Sequence, residues 1–78
     1  MLFGRRIPIR NVTPGSVFCR NGKGDLVETA RVLSVVTDSY GIPHVRFEVS
    51  IRYPSFSRVH DNRVLALSSF ARQYPDRL

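Results

Sequence analysis

A small, mainly β domain of four to five antiparallel strands with a short C-terminal helix is the fold class predicted by this chain, on three observations. First, residues 44–53 alternate without a break: Val45, Phe47, Val49, Ile51 and Tyr53 against His44, Arg46, Glu48, Ser50 and Arg52. Period two over that length marks a strand with one dry and one wet face. Second, clusters of turn formers at 11–15, 21–25 and 37–42 cut the chain into strand-length pieces. Third, Ser68 stands ahead of Ser69-Phe70-Ala71-Arg72-Gln73-Tyr74, and Pro75 follows. That is a brief helix with a serine N-cap and a proline stop.

Residues 1–12 are a basic lead-in, expected to be a mobile arm, in which Pro8 admits at most an edge strand. Pro14-Gly15 supplies the two central residues of a turn, proline presetting φ and glycine taking the positive value. Residues 16–20 form a short strand, and 21–25, with Gly22 and Gly24, a hairpin loop. Residues 26–36 form a second long strand of poorer alternation, because Val32-Leu33 and Val35-Val36 are adjacent apolar pairs around Ser34. Either that strand is covered on both faces, or a bulge near Ser34 switches the inward side. Antiparallel return of residues 43–53 in one register sets Arg31 against Glu48 and Val32 against Phe47, an ion pair beside an apolar pair. Pro54 ends that strand, His60-Asp61-Asn62-Arg63 reads as a turn, and Val64-Leu65-Ala66-Leu67 as a closing strand. Phe70 and Tyr74, spaced i and i+4, share a helical face directed at the core.

With 78 residues the chain makes one domain, residues 1–78, with a thin core. Its 42% hydrophobic content argues against disorder. Cys19 stands alone, which precludes an internal disulfide, and with only His44 and His60 beside it no structural zinc set is formed. No metal or other cofactor is expected. A single unpaired cysteine suits a reducing compartment, the N-terminus lacks the apolar core of a signal peptide, and no apolar run reaches the ~20 residues of a membrane helix. The expectation is a cytoplasmic protein without membrane attachment.

A flat sheet of this size leaves edges and an apolar face open, whereas curling into a small barrel hides both. The chain resembles the SH3-like small barrels, the group that includes KOW and Tudor modules. The likeness is carried by Thr13-Pro14-Gly15-Ser16-Val17 leading into a strand, the Gly22/Gly24 loop, Glu28-Thr29-Ala30-Arg31-Val32, the Phe47 strand and the 64–67 segment before the helix. It spans most of the chain from Thr13 onward and is architectural. The resemblance implies a module that binds RNA, DNA, ribosomes, peptides or modified side chains rather than one that catalyses.

The residues themselves point the same way. His60-Asp61 are sequence neighbours, whose side chains diverge in extended chain, and no orienting shell accompanies them. Cys19 adjoins Arg20, a cation that would activate a thiol, but the alternation of Val17-Phe18-Cys19 suggests a half-buried, inert one. Gly22-Lys23-Gly24 looks like part of a phosphate loop, yet no helix follows it, as such loops require.

The formal net charge is +6, and eleven of the twelve basic residues are Arg. Either arginine's bidentate grip on phosphate or the base composition of the genome accounts for that ratio; the net charge is separate and favours an acidic partner. The expected ligand is nucleic acid, RNA ahead of DNA. Arg46 and Arg52 on the wet face, Arg58 beyond it, and Arg5, Arg6 and Arg10 on the arm are the phosphate-binding candidates. Phe56 and Tyr40, each in a loop, are the base-stacking candidates. The alternative is an adaptor for an acidic protein or peptide, through an aromatic cage of Tyr40 and Phe56 or through an open strand edge.

Overall fold

In a computed structural model the described residues are 11–22, 26–52 and 57–78, those at 57–60 by their backbone alone. The elements run β1 (Val17–Asn21), β2 (Val27–Thr37), β3 (Pro43–Arg52), β4 (Ser57–Ala66), α1 (Leu67–Gln73) and β5 (Asp76–Arg77). Among the described residues the five strands form one antiparallel sheet in the order β4-β3-β2-β1-β5.

Alternation in β3 translates directly into burial. Val45, Phe47 and Val49 are buried and Arg46 and Arg52 exposed. The β2–β3 ladder sets Arg31 opposite Glu48 and Val32 opposite Phe47, the register expected from the ion pair. It then shifts between Val32 and Ser34, so Leu33 is a bulge residue. The bulge is what reconciles the two adjacent apolar pairs of β2. Before it, Ala30 and Val32 face inward; after it, Val35 packs on the core while Val36 turns out, 54% exposed. An extra residue reverses the alternation, because side-chain direction has a period of two.

α1 closes the inner face. Phe70 is fully buried, with ring centroids 5.5 Å from Phe18 and 4.9 Å from Phe47, both edge-on. Tyr74, one turn on, lies 5.5 Å from Phe47. Edge-to-face rings at such spacings contribute about 0.5–1.5 kcal/mol per pair beyond the area they bury. Val12 and Leu67 complete the cluster.

Four expectations require correction. The segment His60-Asp61-Asn62-Arg63 is not a turn; it lies within β4. Its polarity suits a strand at the end of the sheet, where charged residues are tolerated on either face. Residues 64–66 therefore end β4, and the last strand is β5, which pairs with β1 through Phe18 opposite Arg77 and Cys19 opposite Asp76. The helix starts two residues early: Ala66 is the N-cap, with φ −57° and ψ 144° and no side-chain cap bond, so Ser68 does not cap it. Finally, Val12 is 5% exposed in the core and the Asn11 carbonyl accepts from Arg77 Nη1 at 3.1 Å. The arm expected over 1–12 thus gives up its last two residues to the fold. Residues 1–10 lie outside the described residues. Among the described residues no helix is long and apolar enough to cross a membrane.

Candidate nucleic-acid interface

The outer face of the sheet is built from the residues of β3 that point away from the core and their ladder neighbours. Arg46 lies between Ser34 of β2 and Val64 of β4, and Arg52 lies between Val27 and Ser57. Both arginines are exposed, and among the described residues neither lies within 4.0 Å of a carboxylate. Six residues apart on one unbulged strand, they are separated by about 20 Å at ~3.3 Å per residue. Between them sits the Arg31–Glu48 pair at 2.9 Å, so the centre of the face is neutralised and its two ends are cationic.

Tyr40 stands at the tip of the β2–β3 connection with 86% of its surface exposed. The connection holds it by backbone bonds. The Asp38 carboxylate accepts from the N–H of Tyr40 at 2.8 Å and of Ile42 at 2.9 Å, the Asp38 N–H donates to the Ile42 carbonyl, and Gly41 takes a φ of 81°. The Ile42 N–H above all, with the Tyr40 N–H and then His44, holds the Asp38 carboxyl below its ordinary range against a smaller opposing effect of burial. His44, expected to look freely outward, is half-buried and serves this turn: its Nδ1 lies 3.0 Å from the Ile42 carbonyl and 3.7 Å from Asp38 Oδ2.

Not every candidate joins this face. Arg58 lies opposite Ile51 in the β3–β4 ladder, one step off the row of Arg52, because the register shifts between Ser50 and Ile51. It lies within β4 alongside the end of β3, not just beyond that end as expected, and its side chain lies outside the described residues. Arg5, Arg6, Arg10 and Phe56 also lie outside them. Sequence reasoning did not pick out the apolar part of the face: Val36 is 54% and Val64 56% exposed, flanking His44 and Arg46 in the ladders. The adjacent pairs Val35-Val36 and Val64-Leu65 were its only signal, since in a strand one of two neighbours must point outward.

A second polar cluster, also unanticipated, lies on the inner face. Glu28 is buried, and its carboxylate accepts from Arg20 Nη2 at 3.1 Å and from the Tyr74 hydroxyl, with Arg63 Nη1 3.7 Å away. The Arg20 guanidinium lies 4.8 Å from the Tyr74 ring centroid. Burial first, then the hydrogen bond to Glu28 and its charge, push the Tyr74 hydroxyl up to about 12. Each polar group in this cluster has a partner, which is what allows a carboxylate under a helix. Its signal was the spacing Glu28-x-Ala30-x-Val32, which puts the acid on the apolar row.

Cys19 is half-buried, and burial together with the Asp76 carboxylate pushes its thiol up, away from the reactive thiolate. Arg20 does not counter this, because it points to the other face, toward Glu28. No family model, curated protein or solved structure matches this chain.

Proposed function

We propose that the chain is a cytoplasmic, non-enzymatic SH3-like module that binds RNA through the outer face of its sheet. The observation that carries this reading is the pair of exposed, acid-free arginines, Arg46 and Arg52, at the two ends of one strand face. A spacing of ~20 Å suits two separated phosphates on a strand running along β3. Tyr40 supports a single-stranded ligand: a ring held outward by a hydrogen-bonded turn offers a stacking surface, worth ~1–3 kcal/mol per base. Arg5, Arg6 and Arg10 would add phosphate contacts from the N-terminal segment, and the net charge of +6 would speed encounter with any polyanion.

Fluorescence anisotropy with labelled single-stranded RNA tests this. With about four phosphates engaged, log affinity falls with log salt at a slope near −3. Arg46→Glu with Arg52→Glu weakens binding at least tenfold while leaving the circular dichroism spectrum unchanged. Unchanged affinity in that folded double variant refutes the reading.

One observation favours a protein partner instead. Val36 and Val64 leave apolar surface beside His44 and Arg46, and apolar surface rimmed by charge marks protein interfaces. Purification from native cells with and without RNase separates the two: partners lost with the RNA support RNA binding, and an acidic protein retained after digestion supports the adaptor.

A further inference from the structure

Among the described residues β4 ends the sheet: it is bonded to β3 on one side, and no strand pairs with its other side. Ten residues of open edge invite a partner strand unless something deters it. Charge is the usual deterrent, and here the charge is self-complementary. Asp61 and Arg63 lie opposite Val49 and Phe47, on the inner row of the strand, with side chains 66% and 45% exposed.

Two copies joined antiparallel at this edge about a two-fold axis keep the same face of each sheet on the same side, so only residues of like parity oppose one another. Few registers remain. Centred on Asp61, the pairing sets two carboxylates against each other; centred on Arg63, two guanidinium groups. Centred on His60 or Val64, neither charge meets its opposite. Centred on Asn62, Asp61 of each copy lies opposite Arg63 of the other, twice. Within one chain Arg63 Nε already lies 3.3 Å from Asp61 Oδ2, so the four groups would form a closed ring of alternating charge. Ion pairs in such networks contribute more than isolated surface pairs. On the outer face the same register brings Val64, 56% exposed, opposite His60 of the second copy. The register shift that leaves Val59 unpaired in β4 bounds the ladder at residues 60–64, an ordinary strand length.

We propose that two copies of this chain associate edge to edge through β4, antiparallel and two-fold symmetric about Asn62. The sheet then runs unbroken across both copies, and the two Arg46 faces lie on one side. The inference is independent of what those faces bind.

Sedimentation of the unmodified chain over a dilution series is expected to approach twice the 8.9 kDa of one chain at the upper concentrations. Asp61→Arg and Arg63→Asp, each alone, place like charges in the ring and sediment as monomers. Mixed in equal amounts, the two variants restore opposite charges across the edge and form a one-to-one dimer. Circular dichroism checks that each is folded, which matters most for Arg63→Asp because Arg63 Nη1 also lies 3.7 Å from Glu28, and a third variant does not depend on them. Directly opposed residues of an antiparallel pair have Cα atoms about 4.5–5.5 Å apart, within the ~4.4–6.8 Å of a disulfide. Asn62→Cys in a Cys19→Ser background is therefore expected to oxidise to a covalent dimer, and Ser68→Cys in the same background is not. A monomer across the whole series, a mixture of folded variants that stays monomeric, or equal cross-linking at both positions overturns the proposal.

Discussion

The Tyr74 hydroxyl donates to the buried carboxylate of Glu28, across 46 residues of sequence. Tyr74 sits at the end of α1 and Glu28 on β2, so the bond ties the helix to the sheet at the rim of the aromatic core. Arg20, directly opposite Glu28 in the β1–β2 ladder, completes the tie by bonding the carboxylate and lying over the tyrosine ring.

Tyr74→Phe keeps the ring and removes the donor. Glu28 retains Arg20, so the loss is one charged hydrogen bond in a nearly dry site, about 1–3 kcal/mol. Chemical denaturation of the two proteins measures it. Glu28→Ala costs more, because it leaves Arg20 and Arg63 without their shared anion.

Alkaline pH acts on the same bond. Folding raises the Tyr74 hydroxyl from 10.0 to about 12, so the folded state holds a proton that the unfolded state releases. Stability from this group is fully present below pH 10 and is lost as pH rises toward about 12. Thermal melts across that window fall in the unmodified protein and fall less in Tyr74→Phe. In a phenolate absorbance titration, the substitution removes the step at the highest pH.

Phe47→Ala empties the centre of the core, where the ring meets both Phe70 and Tyr74. The expected cost is ~3–5 kcal/mol, a large part of the ~5–15 kcal/mol available to a small domain. The variant is expected to lose the cooperative unfolding transition near room temperature. A normal transition would mean that α1 does not depend on Phe47.

Glu48→Gln removes the acid from the middle of the outer face and frees Arg31. As the pair is part-exposed, stability changes by less than about 1 kcal/mol. If the outer face binds RNA as proposed, affinity is expected to rise and the salt slope to steepen by about 0.7 as one more phosphate is engaged. Anisotropy titrations at several salt concentrations measure both. The sign is opposite to that of the arginine reversals, which separates a charge effect from damage to the fold.

Asp38→Ala withdraws the carboxylate that organises the Tyr40 turn. The amides of Tyr40 and Ile42, bonded at 2.8 and 2.9 Å, exchange faster with solvent while the rest of the sheet is unaffected. Acid does the same in the unmodified protein. Because the folded carboxyl lies below its ordinary 3.8, the turn's protection is complete above that value and fades as pH falls through the depressed one. Hydrogen exchange resolved by residue reports both effects.

Much of the fold can be read along the chain, because local pattern and long-range packing agree. Val45, Phe47 and Val49 declare β3 by alternation and are the centre of the core. The register that sets Arg31 against Glu48, one the sequence allows, is the one formed, and the adjacent apolar pairs of β2 announce the bulge at Leu33 as one of two outcomes. Arg46 on the outer face and Tyr40 in the β2–β3 connection are exposed as expected. Where pattern and packing part, sequence misleads. His60, Asp61, Asn62 and Arg63 carry turn-like polarity, yet they are strand because β3 offers them a bonded neighbour and the far edge asks for no apolar residue.

By itself the sequence determined where chain direction and burial alternate, since those depend on neighbours two to four residues apart: the faces of β3, the glycine turn at Gly15, the shared face of Phe70 and Tyr74. Tertiary structure alone decided what depends on distant segments meeting. It buried Glu28 beneath Tyr74, drew Val12 into the core, laid Asp76 and Arg77 along β1 and set Asp61 and Arg63 on the edge of the sheet. A carboxylate, a short strand or an edge residue takes its role from the partner brought to it, and no local period encodes that partner.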